Sequence, residues 1–474
     1  MQKPSLFNSV LPLIFMFLLI SYGSLVVRLP LSFLLIVSAV FTGLLAKANG
    51  LTVGEMMDAI ADKVRNTTQG LFLVLCIGGL VSSWILSGTI PMFIYYGIKL
   101  IDPQYFYITA FLLTALASTV TGTSYGSAGT IGVAVMGVAA AQGLPLDVAA
   151  GAVISGAIFG DKMSPCSDTT VLAALSTRTN LYTHIRHMFY TTGGATLLCL
   201  CVYGFAGFSL TAVGGIGESG TLLADLEAIY DFSWLLLLPA ILVLAGSFLK
   251  KPTIPIIIAS SFLALFQGVV LQGFSVKTAV NAYVKGFSLS MLTTQVPLGS
   301  RELMARLLNR GGMESMLPIF LLVFCVFAFA GIYSRAGYLT TILENLCKLT
   351  RSPASLIAVT AVASLLVCLA TGSTYLSILL LGELFGPLYQ KMNLASENLS
   401  RTLEDAGTCA VPLIPWSITA TYLATTIGVP TVEYLPWAVL CYSGMVFALV
   451  FAYSDFRITR LSEKIRPAPV NDLN

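Results

Sequence analysis

Charge is what this sequence lacks most. Asp, Glu, Lys and Arg make up 10% of its 474 residues, against 56% hydrophobic ones, whereas a soluble domain carries roughly 25% charged residues. So little charge excludes a water-facing surface over most of the chain, and no polar stretch is long enough to form a separate soluble domain. The formal charge of +3 is too small to imply a nucleic-acid partner. Histidine is almost missing: the two present, His184 and His187, form a weak HxxH that Arg186 places at a membrane interface rather than on a metal. The nine cysteines contain no CxxC, and Cys199 and Cys201 sit within an apolar run. Neither a disulfide framework nor a zinc site is expected. There is no P-loop, GxSxG or HExxH, so neither ATP drive nor hydrolysis is supported; no enzyme and no cofactor is expected. The apolar run after Lys3 lacks a small-x-small cleavage pattern and leads through Arg28 and Pro30 into another helix, so a removable leader is not expected.

In place of charge there are long apolar runs. Residues 10–27, 68–88 and 232–249 are each about long enough to cross a ~30 Å hydrocarbon core. They are Leu/Ile/Phe-rich, without the ten-residue alternation of a membrane barrel. The expected fold class is an all-α polytopic protein of the lipid bilayer.

The sequence also repeats itself, a feature that settles architecture early. TGTSYGS at 121–127 matches TGSTYLS at 371–377. The same offset of 250 pairs Pro103 with Pro353, Leu144 with Leu394, Pro165 with Pro415, Ser167 with Ser417, Thr169 with Thr419 and Gly194 with Gly444. Upstream, Pro30 pairs with Pro252 at an offset of 222, so the second half carries an extra segment, expected around 293–312. Each half reads as two helices, an amphipathic stretch (51–66 and 274–288) and a third helix (68–88 and 316–334). A helix–break–helix unit at the repeated motif follows, then a helix interrupted at DKMSPCSD or VPLIPWSI, and a last helix. The boundaries expected are a first transmembrane repeat at 1–206, an acidic external linker at 207–231, a second repeat at 232–456 and a basic cytoplasmic tail at 457–474. If the motif unit is a re-entrant or broken hairpin, each half crosses five times. That gives about ten spanning helices plus two hairpins, with the halves inverted; a fully spanning motif unit would make them parallel. Sixteen Lys and Arg then fall on the N-terminal side against seven opposite. This puts both termini in the cytoplasm of a multi-pass inner (plasma) membrane protein.

The chemistry concentrates in SGAIFGDKMSPCSDTT. Asp161, Lys162 and Asp168 flank a break made by Gly160 and Pro165, together with Ser164, Ser167, Thr169 and Thr170. A carboxylate at mid-membrane costs roughly 2.5–3.5 kcal/mol, and hydroxyls and carboxylates are the oxygen ligands that hard cations prefer. The plain alternative is a solvated loop with Asp168 capping the next helix. In the second half polarity sits earlier, at Arg401, Glu404, Asp405 and Thr408. Arg401 precedes the two acids by three and four residues, so a local salt bridge is feasible. The acids either lie in the headgroup region or complete the site offered by the first half. The motif residues Thr121, Thr123, Ser124, Thr371, Ser373 and Thr374 read either as hairpin tips or as small-residue helix packing. Glu383 is a further acid within an apolar run.

GAIFGDKMSPCSDTT, LEDAGTCAVPLIPW and TGTSYGSAGTIG resemble the NhaC-type sodium/proton antiporter family over residues 10–455. The resemblance implies secondary antiport of Na+ and H+, with Asp161, Ser164, Ser167, Asp168, Thr169, Thr170, Glu404, Asp405, Thr408 and Pro415 in the ion pathway and Na+ at Asp161 and Asp168. It also leaves open a sodium- and proton-coupled exchanger of the malate/lactate type, or an amino-acid carrier, for which Lys162 or Arg401 would supply the cationic partner. The resemblance permits a homodimer.

Overall fold

The computed structural model describes residues 3–209, 216–292 and 299–461. In lipid a chain must satisfy its own backbone hydrogen bonds, and an uninterrupted apolar run does so as a helix. Among the described residues the only pairing outside helices is one isolated bridge, Leu394 with Arg460. Among the described residues eight helices are long and apolar enough to cross a membrane, and four bent pairs, at angles from 49° to 107°, raise the number to twelve if each pair spans. The chain is an all-α, multi-pass membrane protein.

The helix ends repeat with the sequence. Residues with left-handed backbone recur at the offset of 250: Gly122 with Gly372, Gly143 with Asn393, and Arg178 with Gly428. Nearer the N-terminus Arg28 recurs at Lys250 and Gly50 at Gly273. The breaks fall where Gly, Pro and hydroxyl residues cluster. Helix Phe106–Thr121 ends at Gly122 (φ 68°) and helix Pro353–Thr371 at Gly372 (φ 64°). Helix Leu146–Met163 gives way to Asp168–Ser176 across residues 164–167, and helix Ile418–Ile427 starts after a matching interruption.

One expectation changes, and two segments gain detail. The stretch 51–66 and the helix 68–88 are one helix, Val53–Ser87, opened by a Thr52–Glu55 capping box. Between them stands only Thr67, and the nearby Gly70 costs about 1 kcal/mol relative to Ala, too little to break a long helix. In the second half the equivalents Val276–Lys285 and Leu317–Arg335 stay apart, with helix Arg301–Leu308 between them; of the expected extra segment, residues 293–298 lie outside the described residues. The expected acidic linker, 207–231, carries a helix. Helix Leu181–Ser209 runs into it, and helix Ile216–Ile229 follows with Leu222 and Leu226 fully buried. Tyr95 donates to Glu227 and accepts from Lys99, tying this helix to Thr89–Leu100. Of the expected basic tail, residues 462–474 lie outside the described residues, and Thr459 N–H donates to Asn398 Oδ1 at 3.1 Å.

Backbone contact between helices Phe106–Thr121 and Leu146–Met163 positions the site. A Cβ on Gly156 would lie 2.4 Å from the Phe111 carbonyl oxygen, and one on Gly160 2.3 Å from the Thr119 nitrogen. This GxxxG spacing lets two membrane helices meet without side chains between them, and Ser118 Oγ donates across the seam to the Ala157 carbonyl at 2.6 Å. Gly160→Val should therefore cost about 1–3 kcal/mol, read as a lower thermal midpoint of the detergent-purified protein. An unchanged midpoint would show that the seam is looser than this.

Candidate functional site

The end of helix Leu146–Met163 carries Asp161 into the protein interior, where it is 7% exposed. Ser124 Oγ, from the repeated motif, donates to Asp161 Oδ2 at 2.7 Å, and Ser167 Oγ, from the break, donates to Oδ1 at 2.7 Å. Ser167 Oγ also lies 3.1 Å from Thr169 Oγ1. Thr170 Oγ1 donates to the freed carbonyls of Asp161 and Lys162 at 3.2 and 3.0 Å, and Ser164 Oγ accepts from Cys166 N–H at 3.2 Å. Gly122 brings the motif against the break: a Cβ there would stand 2.8 Å from the Cys166 carbonyl carbon. The two breaks thus present a carboxylate, the hydroxyls of Ser124, Ser167, Thr169 and Thr170, and backbone oxygens within one small volume, a hard-oxygen set suited to a small cation.

Asp168 differs. It is exposed at the first position of helix Asp168–Ser176, accepts its own helix's Thr169 N–H at 2.9 Å, and accepts a hydrogen bond from Tyr375. Tyr375 belongs to the second copy of the motif. Its counterpart in the first copy, Tyr125, shares a hydrogen bond of 3.0 Å with Thr419 Oγ1 and stacks on Tyr422 at 4.5 Å between centroids. Each motif tyrosine therefore reaches the start of the other half's resumed helix. Neither tyrosine stood among the expected site residues, although its place in both copies of the motif was a usable signal.

The second half brings its acids to the same interior through a π-helical turn, Glu404–Thr408, a local widening often found at functional sites. Glu404 and Asp405 are fully buried within the protein. The expected local salt bridge to Arg401 is not formed. Asp405 pairs instead with Lys162 across 243 residues of sequence, and Thr191 Oγ1 donates to the same Asp405 Oδ1 at 3.1 Å. Arg401, also fully buried, donates from Nη1 to the Arg457 carbonyl at 3.2 Å. Glu404 has Thr408, Lys162, Asp161 and Asp405 around it.

The remaining positions divide. Thr121 and Thr371 donate to carbonyls of their own helices. Ser373 caps the next helix at Leu376 N–H, Thr123 is that helix's counterpart cap in the first half without a side-chain bond, and Thr374 is buried. These shape the breaks and do not touch Asp161. Glu383 is exposed on helix Thr374–Lys391. His184 and His187 are buried on the face of helix Leu181–Ser209 that also carries Thr191.

Comparison with known proteins finds relatives along nearly the whole chain. The model of the Na+/H+ antiporter family matches residues 97–180 and 156–456. An uncharacterized Na+/H+ antiporter of Haemophilus influenzae is 42% identical over 465 residues, 98% of each chain. The Na+/H+ antiporter NhaC of Alkalihalophilus pseudofirmus is 34% identical over 90% of each. The malate-2H+/Na+-lactate antiporter of Bacillus subtilis is 30% identical over 96% of this chain and 95% of its own. By the family match and by identity over nearly the whole length, the chain belongs to the Na+/H+ antiporter family.

Proposed function

We propose that the protein exchanges cytoplasmic Na+ for external H+ at one site near the membrane midplane, centred on Asp161 with Ser124, Ser167, Thr169 and Thr170. The observation that carries this reading is the burial of Asp161 between hydroxyls of the motif break and of its own helix break. A buried carboxylate is neutralised equally by a proton or by Na+, and either neutral form crosses a conformational change more easily than the anion. Binding of Na+ from one side therefore releases the proton, and an incoming proton on the other side releases Na+. Alternating access comes from two inverted halves, 1–206 and 232–456, moving against each other around this site. Asp168 and Tyr375, at the exposed end of the break, form the approach to it.

Proteoliposomes with an imposed ΔpH test the reading: Na+ alone should dissipate the gradient. A carrier of malate, lactate or an amino acid is the second reading, favoured by the likeness to the malate-2H+/Na+-lactate antiporter. It demands that dissipation wait for the organic acid or amino acid.

The orientation has its own test. Single cysteines at residues 3 and 470 should react only with reagent on the cytoplasmic face, and one at residue 218 only from outside. The reverse pattern would make the seven basic residues of the other side the better guide.

A further inference from the structure

The buried charges near Asp161 do not balance. Asp161, Glu397, Glu404 and Asp405 are each no more than 7% exposed, against two equally buried cations, Lys162 and Arg401. Lys162 is paired with Asp405. Arg401 lies one turn after Glu397 on helix Ser396–Leu403 and within the field of both Glu397 and Asp405. His184 and His187, neighbours of Lys162 and Arg401, are buried as well. Lys162, engaged with Asp405, is also the cation whose field reaches Glu404, so Asp161 and Glu404 have no ion-pair partner of their own.

These two carboxyls are treated very differently by their surroundings. Asp161 accepts two short hydroxyl hydrogen bonds, as a buried anion requires. Among the described residues neither oxygen of Glu404 accepts a well-formed hydrogen bond, the neighbouring Thr408 hydroxyl standing as its one near donor, although Glu404 is 0% exposed. An ionised carboxylate stripped of water and given no donor is the costliest arrangement a buried group can take. The same side chain as a neutral acid has little to satisfy.

We propose that Glu404 stays protonated throughout the transport cycle, so that Asp161 alone exchanges its charge and the protein moves one Na+ for one H+ without net charge. This rests on the Na+/H+ reading of Asp161. In the exchanging step the O–H bond of Asp161 breaks, the proton passes to water, and Na+ takes its place with the same charge. The neutral Glu404 beside it keeps the cluster from holding a second exchangeable charge.

The test uses the full-length protein in proteoliposomes with the voltage clamped by a K+ gradient and valinomycin. The final Na+ gradient reached under a fixed ΔpH should be the same at zero and at 100 mV. An exchange carrying one net charge per cycle would shift that end point about 50-fold under the same clamp, and such a shift overturns the proposal. Glu404→Gln should keep the one-for-one count and the indifference to voltage. It should also remove an infrared carboxylic-acid carbonyl band that the parent protein shows in both the Na+-loaded and the proton-loaded states. A folded Glu404→Gln protein that no longer exchanges, or whose count changes, also overturns it. Should that variant fail to fold, the voltage test on the parent protein decides. Failure of the Asp161 reading is separate: it would show as exchange persisting in Asp161→Asn.

Discussion

Asp161→Asn should abolish Na+-driven proton release, by about 100-fold or more, the range lost when an essential proton-transferring group is removed, while the protein still reaches the membrane and stays folded. The amide keeps the size of the carboxyl and can still meet Ser124 and Ser167, since both hydroxyls rotate to suit an acceptor or a donor. What it cannot do is carry a proton at one moment and a sodium ion's counter-charge at the next. Loss of transport with retained stability therefore isolates the charge exchange from the packing. The measurement pairs Na+-dependent recovery of an amine-quenched pH gradient with the thermal midpoint of the same preparation. Wild-type exchange with unchanged Na+ affinity in Asp161→Asn would falsify the site.

The sequence placed Asp161 and Asp168 side by side as equals, and the structure separates them. Asp168 is exposed and satisfied by its own helix and by Tyr375, so Asp168→Asn removes an approach charge rather than the exchanging one. The smaller effect belongs on the apparent Na+ affinity.

The breaks were legible because their cause is local. Gly122 and Gly372 must take left-handed backbone, Pro165 and Pro415 cannot continue a helix, and hydroxyls gather where carbonyls are freed. The repeat doubled each of these signals. The partners of the buried charges were not legible, because local spacing gave the wrong answer. Arg401 stands three and four residues from Glu404 and Asp405, the spacing at which helical pairs form. Yet the π turn widens the helix just there, and Arg401 turns to the Arg457 carbonyl. The true pair, Lys162 with Asp405, joins positions that only the packing of one half on the other brings together. Thr191, which also donates to Asp405 Oδ1, sits in an apolar helix with nothing in its neighbourhood to single it out.

That long-range pair gives the second large effect. Lys162 and Asp405 have side chains 1% and 0% exposed, and removing one member of such a pair leaves the other charged, buried and uncompensated, at about 3–5 kcal/mol. Lys162→Gln should therefore lower the thermal midpoint sharply or reduce the amount of protein in the membrane, since Thr191 alone is left to donate to Asp405 Oδ1. Asp405→Asn should be milder, because the amide oxygen can still accept a hydrogen bond from the ammonium left behind. The decisive variant is the double one. Lys162→Gln with Asp405→Asn leaves two neutral amides that can hydrogen-bond to each other and to Thr191, and replacing both members of a buried pair is often neutral or stabilising. Stability should recover toward that of the parent, giving a coupling energy of several kcal/mol in the double-mutant cycle. A double variant no more stable than Lys162→Gln would mean that Lys162 is held by something other than Asp405. The contact between the halves at this point would then have to be redrawn.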